Sequence, residues 1–434
     1  MADNKFELKK GIKLHLIKND IYKTNLISII LTTPLKRENV TKNALIPFLL
    51  KRGTSTFPTY EQISLRLEEL YGTSLNCGVD KVGDNQIIKF VTECIDNNYT
   101  LNGEDLIKDV MDLLVDITFN PYMENGKFKE NAIETEKSHL KDIIEGIINN
   151  KDDYAYNRCL ENMYEFDGYG LYKFGYLEDL EKITLEEISE YYFNLIKSAK
   201  IDIYVSGNID ESHVQKILLE NNIIKRLEER KPEYVPTIPS TENVKKVDNP
   251  KEIQEKMDIK QGKLVIGYNI LDNQENSRNI GIVFNTILGD SANSMLFQNV
   301  REKAGLAYSA RSGFIKPKNL LMIKSGIEIK NYEKALEIIK EQVENIKNGM
   351  FSDKDIENAK VYIISGIKNI TVEQDTEIVF YMGQELSGNS FSIEDYIKNI
   401  NAVTKEQIMQ FAKNLQMNTI YFLTGLDNNA SEDD

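Results

Sequence analysis

The chain contains 434 residues, of which 41% are hydrophobic and 28% charged, and its formal net charge is −15 at pH 7. This length is comfortable for two domains, and the hydrophobic fraction is typical of an ordered globular protein. Because no basic stripe is present to displace the counterions of a phosphate backbone, the composition excludes nucleic-acid binding as the main function.

Cysteine usage and hydropathy predict the compartment. The three cysteines, Cys77, Cys94 and Cys159, are scattered and form no CxxC pair, which argues against a disulfide framework or a cysteine metal site and indicates a reducing compartment. The amino-terminal segment lacks an apolar signal core. No apolar run reaches the roughly 18 residues that a membrane span needs. We therefore expect a cytoplasmic protein without a membrane segment.

The predicted elements follow a similar order in the two halves of the chain. The first half contains strand-like residues 11–17 and 26–32, a helix, a strand pair around residues 73–93, further helices and an apolar closing strand. The second half contains a strand at residues 262–270, a helix, a strand pair around residues 306–328, further helices and another closing strand. This order predicts an α+β fold with mostly antiparallel sheets flanked by helices.

An internal repeat supports the same conclusion. Residues 183–210 parallel residues 403–427, and in both segments a threonine in a capping-box arrangement begins an amphipathic helix that leads to an apolar strand. Residues 128–147 likewise parallel residues 351–370. The offset of about 220 residues is too long for a solenoid and indicates a duplicated domain.

The repeat sets the predicted domain boundaries. We expect an N-terminal domain over residues 1–229 and a C-terminal domain over residues 247–427. Between them, residues 230–246 contain three prolines and many polar side chains, which is typical of a semi-extended linker. Residues 428–434 are expected to form a frayed acidic tail.

The segment LGDSANSMLFQNVREKAGLAYSARSGF, residues 288–314, contains the most informative polar residues. Its apolar spacing predicts a helix that ends near Arg301 and is broken by Gly305, followed by a strand with Leu306, Tyr308 and Ala310 on one face. A guanidinium and a phenol held this close can both donate hydrogen bonds to a peptide carbonyl or a developing oxyanion. The alternative is that Arg301 forms a salt bridge and Tyr308 packs in a core.

Three segments resemble one family. The pattern LF-Q-x-x-REK-x-GLAYS closely resembles the arginine/tyrosine motif in the C-terminal half of the pitrilysin/insulinase-type zinc peptidases. LLKRGT (residues 49–54) with residues 57–76 resembles the family segment after its zinc motif, and residues 175–210 resemble the closing helix and strand of its first domain. The resemblance covers nearly the whole chain and implies the duplicated insulinase-type fold, as in the shorter, paired bacterial two-domain members.

The family's zinc motif is missing. Active members carry His-x-x-Glu-His before a Gly-Thr pair, so that two histidines one helical turn apart bind zinc and the glutamate acts as general base. Counted back from Gly53-Thr54, these five positions are Ala44, Leu45, Ile46, Pro47 and Phe48. Pro47 is also expected to break the helix that presents them. We therefore expect no metal or other cofactor on this chain.

Glu136 lies near the position where the family places its third, distant zinc ligand. It is three residues from His139, so that the two share a helix face as in the Glu-x-x-His element of di-iron bundles, but no second such element is present. We interpret Glu136 and His139 as a partly solvated helix face, with Glu136 a vestigial ligand.

The resemblance implies a specific function. It predicts a heterodimeric, pitrilysin-like peptidase in which this chain has no catalytic residue of its own and contributes Arg301 and Tyr308 to a chamber for an unfolded peptide. The partner is then a paralogous subunit that carries the zinc motif and binds the zinc. The alternative from another class is a scaffold or peptide-binding protein of the same fold, in which Arg301 and Tyr308 are remnants. An independent hydrolase is a third option, although no G-x-S-x-G signature is present.

Overall fold

The computed structural model describes residues 4–237, 247–272, 274 and 276–426. The predicted acidic tail lies outside these residues, and so does the part of the predicted linker over residues 238–246. None of the described helices is both long enough and apolar enough to cross a lipid bilayer.

Eleven strands and fifteen α-helices follow one another in the described part of the chain. The strands are β1 (Asn4–Lys9), β2 (Ile12–Lys18), β3 (Thr24–Pro34), β4 (Ser74–Val82), β5 (Asn85–Ile95), β6 (Lys200–Gly207), β7 (Lys251–Lys256), β8 (Gln261–Ile270), β9 (Ala307–Ile315), β10 (Leu320–Glu328) and β11 (Leu415–Thr424). The helices are α1 (Arg37–Leu50), α2 (Tyr60–Glu69), α3 (Leu106–Phe119), α4 (Glu130–Gly146), α5 (Lys151–Met163), α6 (Leu177–Leu180), α7 (Leu185–Ser198), α8 (Glu211–Glu220), α9 (Asn222–Arg226), α10 (Ser277–Asn285), α11 (Tyr332–Lys347), α12 (Asp353–Lys368), α13 (Gln374–Ser387), α14 (Ile393–Asn401) and α15 (Lys405–Lys413).

These elements form two compact units. Unit 1 contains the described residues up to 146 together with residues 171–236 and 370–389, and unit 2 contains the rest of the described chain. Each unit therefore includes one segment from the opposite half of the sequence. That segment carries α13 in unit 1 and α5 in unit 2. The boundaries predicted from the sequence repeat stay a prediction.

The two sheets share one topology. The order is β1-β2-β6-β3-β5-β4 in unit 1 and β7-β11-β8-β10-β9 in unit 2. All neighbouring strands are antiparallel except β2 with β6 and β7 with β11, which are parallel. Apart from the additional β1, each strand of unit 1 thus has an equivalent in unit 2. The α+β fold with two mostly antiparallel sheets flanked by helices is as predicted.

The core of unit 1 lies between one face of its sheet and the helices α1, α3, α4, α7 and α8. Strand residues such as Leu14 and Ile203 and helix residues such as Leu45 and Leu114 are almost fully buried in one cluster. The central strand β3 is buried along nearly its whole length because both faces of the sheet are covered.

The second face of each sheet is covered by the helix from the opposite half of the sequence. In unit 1, Ile378 and Leu386 of α13 pack against Ile30 and Tyr204. In unit 2, the buried cluster beneath α5 contains the helix residues Ala155, Cys159 and Leu160 and the strand residues Val265, Met322 and Tyr421.

Helix α1 corrects one prediction. It is continuous from Arg37 to Leu50 with Pro47 inside it, so that the expected break at Pro47 is wrong. The proline removes one backbone hydrogen bond and costs about 3 kcal/mol in a helix interior. Ala44, Leu45, Ile46 and Leu50 are fully buried, and Leu49 is nearly so. Burial of a leucine or isoleucine stabilises by about 1.5–3 kcal/mol, and the packing of this face therefore outweighs the local cost.

Candidate functional site

Arg301 lies in an unusual helical segment. The segment Phe297–Lys303 forms a π-helix, and a second π-helical segment, Thr286–Asp290, precedes it directly after α10. The apolar spacing predicted a helix here but did not distinguish a π-helix from an α-helix. One inserted residue changes the backbone hydrogen-bond pattern of a helix without changing which types of residue the segment contains. Single π-helical turns are rare and are frequently located at functional sites.

Gly305 ends this segment, as predicted. Its φ of +63° lies in the left-handed region, where a residue with a Cβ atom is strained. Its N–H donates to the carbonyl of Arg301 at 3.1 Å, and the N–H of Leu306 donates to the carbonyl of Val300 at 3.2 Å. These two bonds close the helix end and turn the chain into β9.

Tyr308 lies on β9, the edge strand of the sheet of unit 2. Ser309 pairs with Gly326 and Ala307 pairs with Ile327, so that Tyr308 is the extra residue of a β-bulge. Tyr308 is 65% exposed. The bulge interrupts the strand alternation, and the prediction that Tyr308 shares a face with the buried Ala310 is wrong. The same exposure excludes the alternative that Tyr308 packs in a core.

The Arg301 side chain makes only weak contacts with other residues of its own helical segment. Its guanidinium lies 4.7 Å from the centre of the Phe297 ring, and its side chain is 45% exposed. Its Nε atom lies 3.6 Å from Oε1 of Glu302, so that Arg301 does form a salt bridge, as the alternative predicted. The two side chains are 45% and 50% exposed, and the distance is too long for a hydrogen bond. Within the described residues, neither this guanidinium nor the Tyr308 hydroxyl donates a hydrogen bond to another group. Both donors are therefore available to an external acceptor.

The positions of the family's zinc motif do not fit a metal ion. Ala44, Leu45 and Ile46 are fully buried in the apolar core of unit 1. The Phe48 ring packs against the His139 ring with the centroids 4.7 Å apart. None of these side chains except that of His139 has an atom that can ligate zinc. Among the described residues, no group of three or more His, Cys, Asp or Glu side chains could hold a metal ion.

Glu136 is neutralised by an arginine. The Nε and Nη2 atoms of Arg52 both contact Oε1 of Glu136, whereas Nδ1 of His139 lies 3.2 Å from Oε2. Glu136 is only 4% exposed, but the His139 side chain is 53% exposed. The interpretation as a partly solvated face thus holds for His139 and is wrong for Glu136. The sequence did not reveal this, since Arg52 is 84 residues away from Glu136.

The Arg52–Glu136 pair leads to a stability prediction. Substituting Arg52 by alanine leaves a buried carboxylate without its charged donor, which typically costs about 1–3 kcal/mol. We expect the free energy of unfolding, measured by urea denaturation at pH 7.5, to fall by about 2 kcal/mol. Arg52→Lys, which keeps the charge, should lose less. The double variant Arg52→Ala, Glu136→Gln should recover part of the loss. Equal stability of Arg52→Ala and the parent would contradict the assigned role.

Comparisons with known proteins agree with the resemblance seen in the sequence. A family profile described as "Peptidase M16 inactive domain" matches residues 182–361. A Bacillus subtilis (strain 168) protein named "Probable inactive metalloprotease YmfF" is 34% identical over 419 residues, which is 96% of each chain. A second protein of that strain, named "Uncharacterized zinc protease YmxG", is 23% identical and covers 95% of each chain.

A solved structure shows the same fold over the full length. The crystal structure of a conserved protein from Enterococcus faecalis V583 has a TM-score of 0.89 and 27% sequence identity, with all of both chains covered. The two chains therefore have the same fold over their full length. Since a relative with 34% identity also matches 96% of the sequence, this chain belongs to the M16, or pitrilysin/insulinase, family of peptidases.

Proposed function

We propose that this chain is the metal-free subunit of a two-chain M16 peptidase and that it binds the peptide substrate through Arg301 and Tyr308. One observation carries the proposal. The two donors are exposed and have no hydrogen-bond acceptor among the described residues, whereas the zinc-motif positions hold apolar side chains. With these two donors the chain can bind a peptide backbone, but with apolar side chains at the zinc-motif positions it has no group of its own to activate water.

The two donors have different roles in this proposal. Arg301 binds a main-chain carbonyl of the substrate through a charge-assisted hydrogen bond, which is roughly twice as strong as a neutral one. Tyr308 donates to the carbonyl oxygen under attack, whose negative charge grows in the transition state. Its position on a bulge of an edge strand supports this role, because bulges often re-aim a side chain next to an active site.

The partner in this proposal is a paralogous subunit with an intact His-x-x-Glu-His motif. Zinc bound there would polarise the scissile carbonyl and supply a hydroxide at neutral pH. Two relatives of nearly the same length support such a pairing, since one is named an inactive metalloprotease and the other a zinc protease. We place both subunits in the cytoplasm, in agreement with the three unpaired cysteines.

A reconstitution experiment tests the proposal. The purified chain is mixed with the zinc-motif paralogue from the same genome and a quenched peptide library. We expect cleavage only when both chains are present, with complete loss after chelation and recovery with zinc. Cleavage by the paralogue alone at the same rate would contradict the proposed contribution of this chain.

The second candidate is a scaffold that holds a peptide or partner without cleaving it. The buried Arg52–Glu136 pair favours it, because the vestigial ligand is neutralised by a side chain. This candidate predicts that labelled unfolded peptides bind to the chain, as measured by fluorescence anisotropy. It also predicts that no mixture with the paralogue increases hydrolysis.

A further inference from the structure

A groove with a volume of about 650 Å³ lies within unit 1, between α3 on one side and the consecutive helices α8 and α9 on the other. Helix α3 contributes Asp109, Asp112, Leu113 and Asp116, which follow the spacing i, i+3, i+4, i+7. The residues that α8 contributes begin at His213 and repeat this spacing. Each helix therefore presents one face to the groove.

Part of the lining of this groove is apolar. The apolar side chains come from the loop before α2 and from the three helices, and they are Phe57, Leu113, Ile217 and Ile223. Leu113 and Ile217 are almost fully buried, whereas Phe57 and Ile223 are half-buried. Lysine and arginine side chains bury their alkyl stems along apolar surface of this kind. The lining therefore suits an elongated alkyl chain with a polar end.

Most charged side chains around the groove form ion pairs. The pairs are Arg66 with Asp109 at 2.9 Å, Lys108 with Asp112 at 2.7 Å, Lys216 with Glu220 at 3.9 Å and His213 with Asp105 at 2.8 Å. Each of these side chains is at least 30% exposed. These acids are therefore already paired with a basic side chain, and their charges are also screened by solvent.

Asp116 differs from the other acids of the groove. It lines the groove but is only 5% exposed. Nδ2 of Asn120 donates to its Oδ1 at 2.7 Å, whereas its Oδ2 accepts no hydrogen bond from any described residue. A buried carboxylate without a cationic partner is unfavourable, because it has lost its hydration without gaining an opposite charge. The groove therefore suits a ligand that brings one positive charge to Asp116.

We propose that this groove binds a lysine side chain of a partner protein, with the ammonium group at Asp116 and the alkyl stem along the apolar lining. Only Oδ2 of Asp116 lacks a donor, which suits a compact ammonium better than a guanidinium, since a guanidinium binds best to both oxygens of a carboxylate. A free diamine would bring a second charge, for which no unpaired acid is left in the described groove. The net charge of −15 favours the approach of a basic protein.

Capped amino acids test the chemistry of the ligand. Nα-acetyl-lysine N-methylamide is titrated into the full chain at pH 7.5, and its Kd is measured by saturation-transfer NMR. We expect binding to weaken at least about ten-fold when the Nε amine of the probe is acetylated, because acetylation removes the charge. The capped arginine should bind about three-fold more weakly than the capped lysine. Cadaverine represents a free amine, and tighter binding of cadaverine than of the lysine probe would overturn the assignment to a partner protein.

Two matched variants test the residue. Asp116→Asn keeps the size of the side chain and an oxygen that can accept from Asn120, but it removes the charge. It should weaken binding of the lysine probe at least about ten-fold. Asp142→Asn removes one charge from an exposed position on α4 and serves as the control. Its Kd should differ from that of the parent by less than about two-fold, because a distant exposed charge is screened.

A third variant covers the case in which Asp116→Asn does not fold. Ile223→Trp narrows the groove at a half-buried position and leaves Asp116 in place, so that it should weaken binding about five-fold or more. Equal affinity for the lysine probe and its acetylated analogue would overturn the inference. Equal affinity of the parent and Asp116→Asn would do the same, since the carboxylate would then have only a structural role.

Discussion

Substituting Tyr308 by phenylalanine should lower the rate of peptide hydrolysis by the reconstituted two-chain assembly about 100-fold. The reason is that loss of one donor to a developing oxyanion typically costs about 10²–10³-fold in kcat. The stability of the chain should not change, because Tyr308 is 65% exposed and its hydroxyl donates to no described residue. Both quantities can be measured on one preparation, as steady-state rates and as a urea unfolding midpoint.

Arg301→Ala should also lower kcat/KM strongly, with an additional increase in KM, because in the proposed assembly the guanidinium binds the substrate before the reaction. Arg311→Ala is the matched control, since Arg311 is exposed on the same strand β9. Co-purification of the two chains checks that each variant still assembles. If Arg301→Ala and Tyr308→Phe both retain the parental turnover, the two residues are remnants and the scaffold candidate is preferred.

Glu377→Gln should stabilise the protein at pH 8 and have little effect at pH 4.5. Glu377 is fully buried on α13, and neither of its carboxylate oxygens has a hydrogen-bond partner among the described residues. Burial raises the pKa of this carboxyl to about 7, although the nearby Asn19 acts to lower it. Burial and the charge of Glu377 also raise the pKa of Tyr22 to about 12.

The sign of the pH dependence follows from the raised pKa. In the unfolded chain the carboxyl ionises near its ordinary pKa of 4.5, whereas in the folded protein it stays protonated up to about pH 7. Its contribution to stability is therefore fully present below pH 4.5 and is lost as the pH rises to about 7. Above that pH the buried charge costs about 3 kcal/mol, at 1.36 kcal/mol for each unit of pKa shift.

Urea unfolding of the variant and the parent at pH 4.5, 6 and 8 measures this contribution. We expect the difference in unfolding free energy to grow with pH to about 3 kcal/mol. Asp375→Asn, at an exposed position on the same helix, should differ from the parent by less than about 1 kcal/mol at every pH. A constant difference between Glu377→Gln and the parent across the three pH values would show that the carboxyl does not titrate near neutrality.

The local structural features of this protein could be predicted from its sequence. The repeat of a capped helix and a closing strand, the strand pairs around residues 73–93 and 306–328, and the helix end at Gly305 depend on short-range periodicity and on backbone preferences. All three are present in the structure. The absence of zinc ligands at positions 44–48 also needs only residue identity, because no fold can give alanine or phenylalanine a metal-binding atom.

Contacts between distant residues were decided only by the tertiary structure. The continuity of α1 through Pro47, the burial of Glu136 against Arg52 and the placement of α5 and α13 in the unit of the opposite half all depend on packing partners far away in the sequence. The bulge at Tyr308 depends on the register of β9 with β10, which a single strand does not specify. Hydrophobic periodicity in the sequence indicates which face of a helix or strand is buried. Which other element packs against that face depends on the fold of the whole chain.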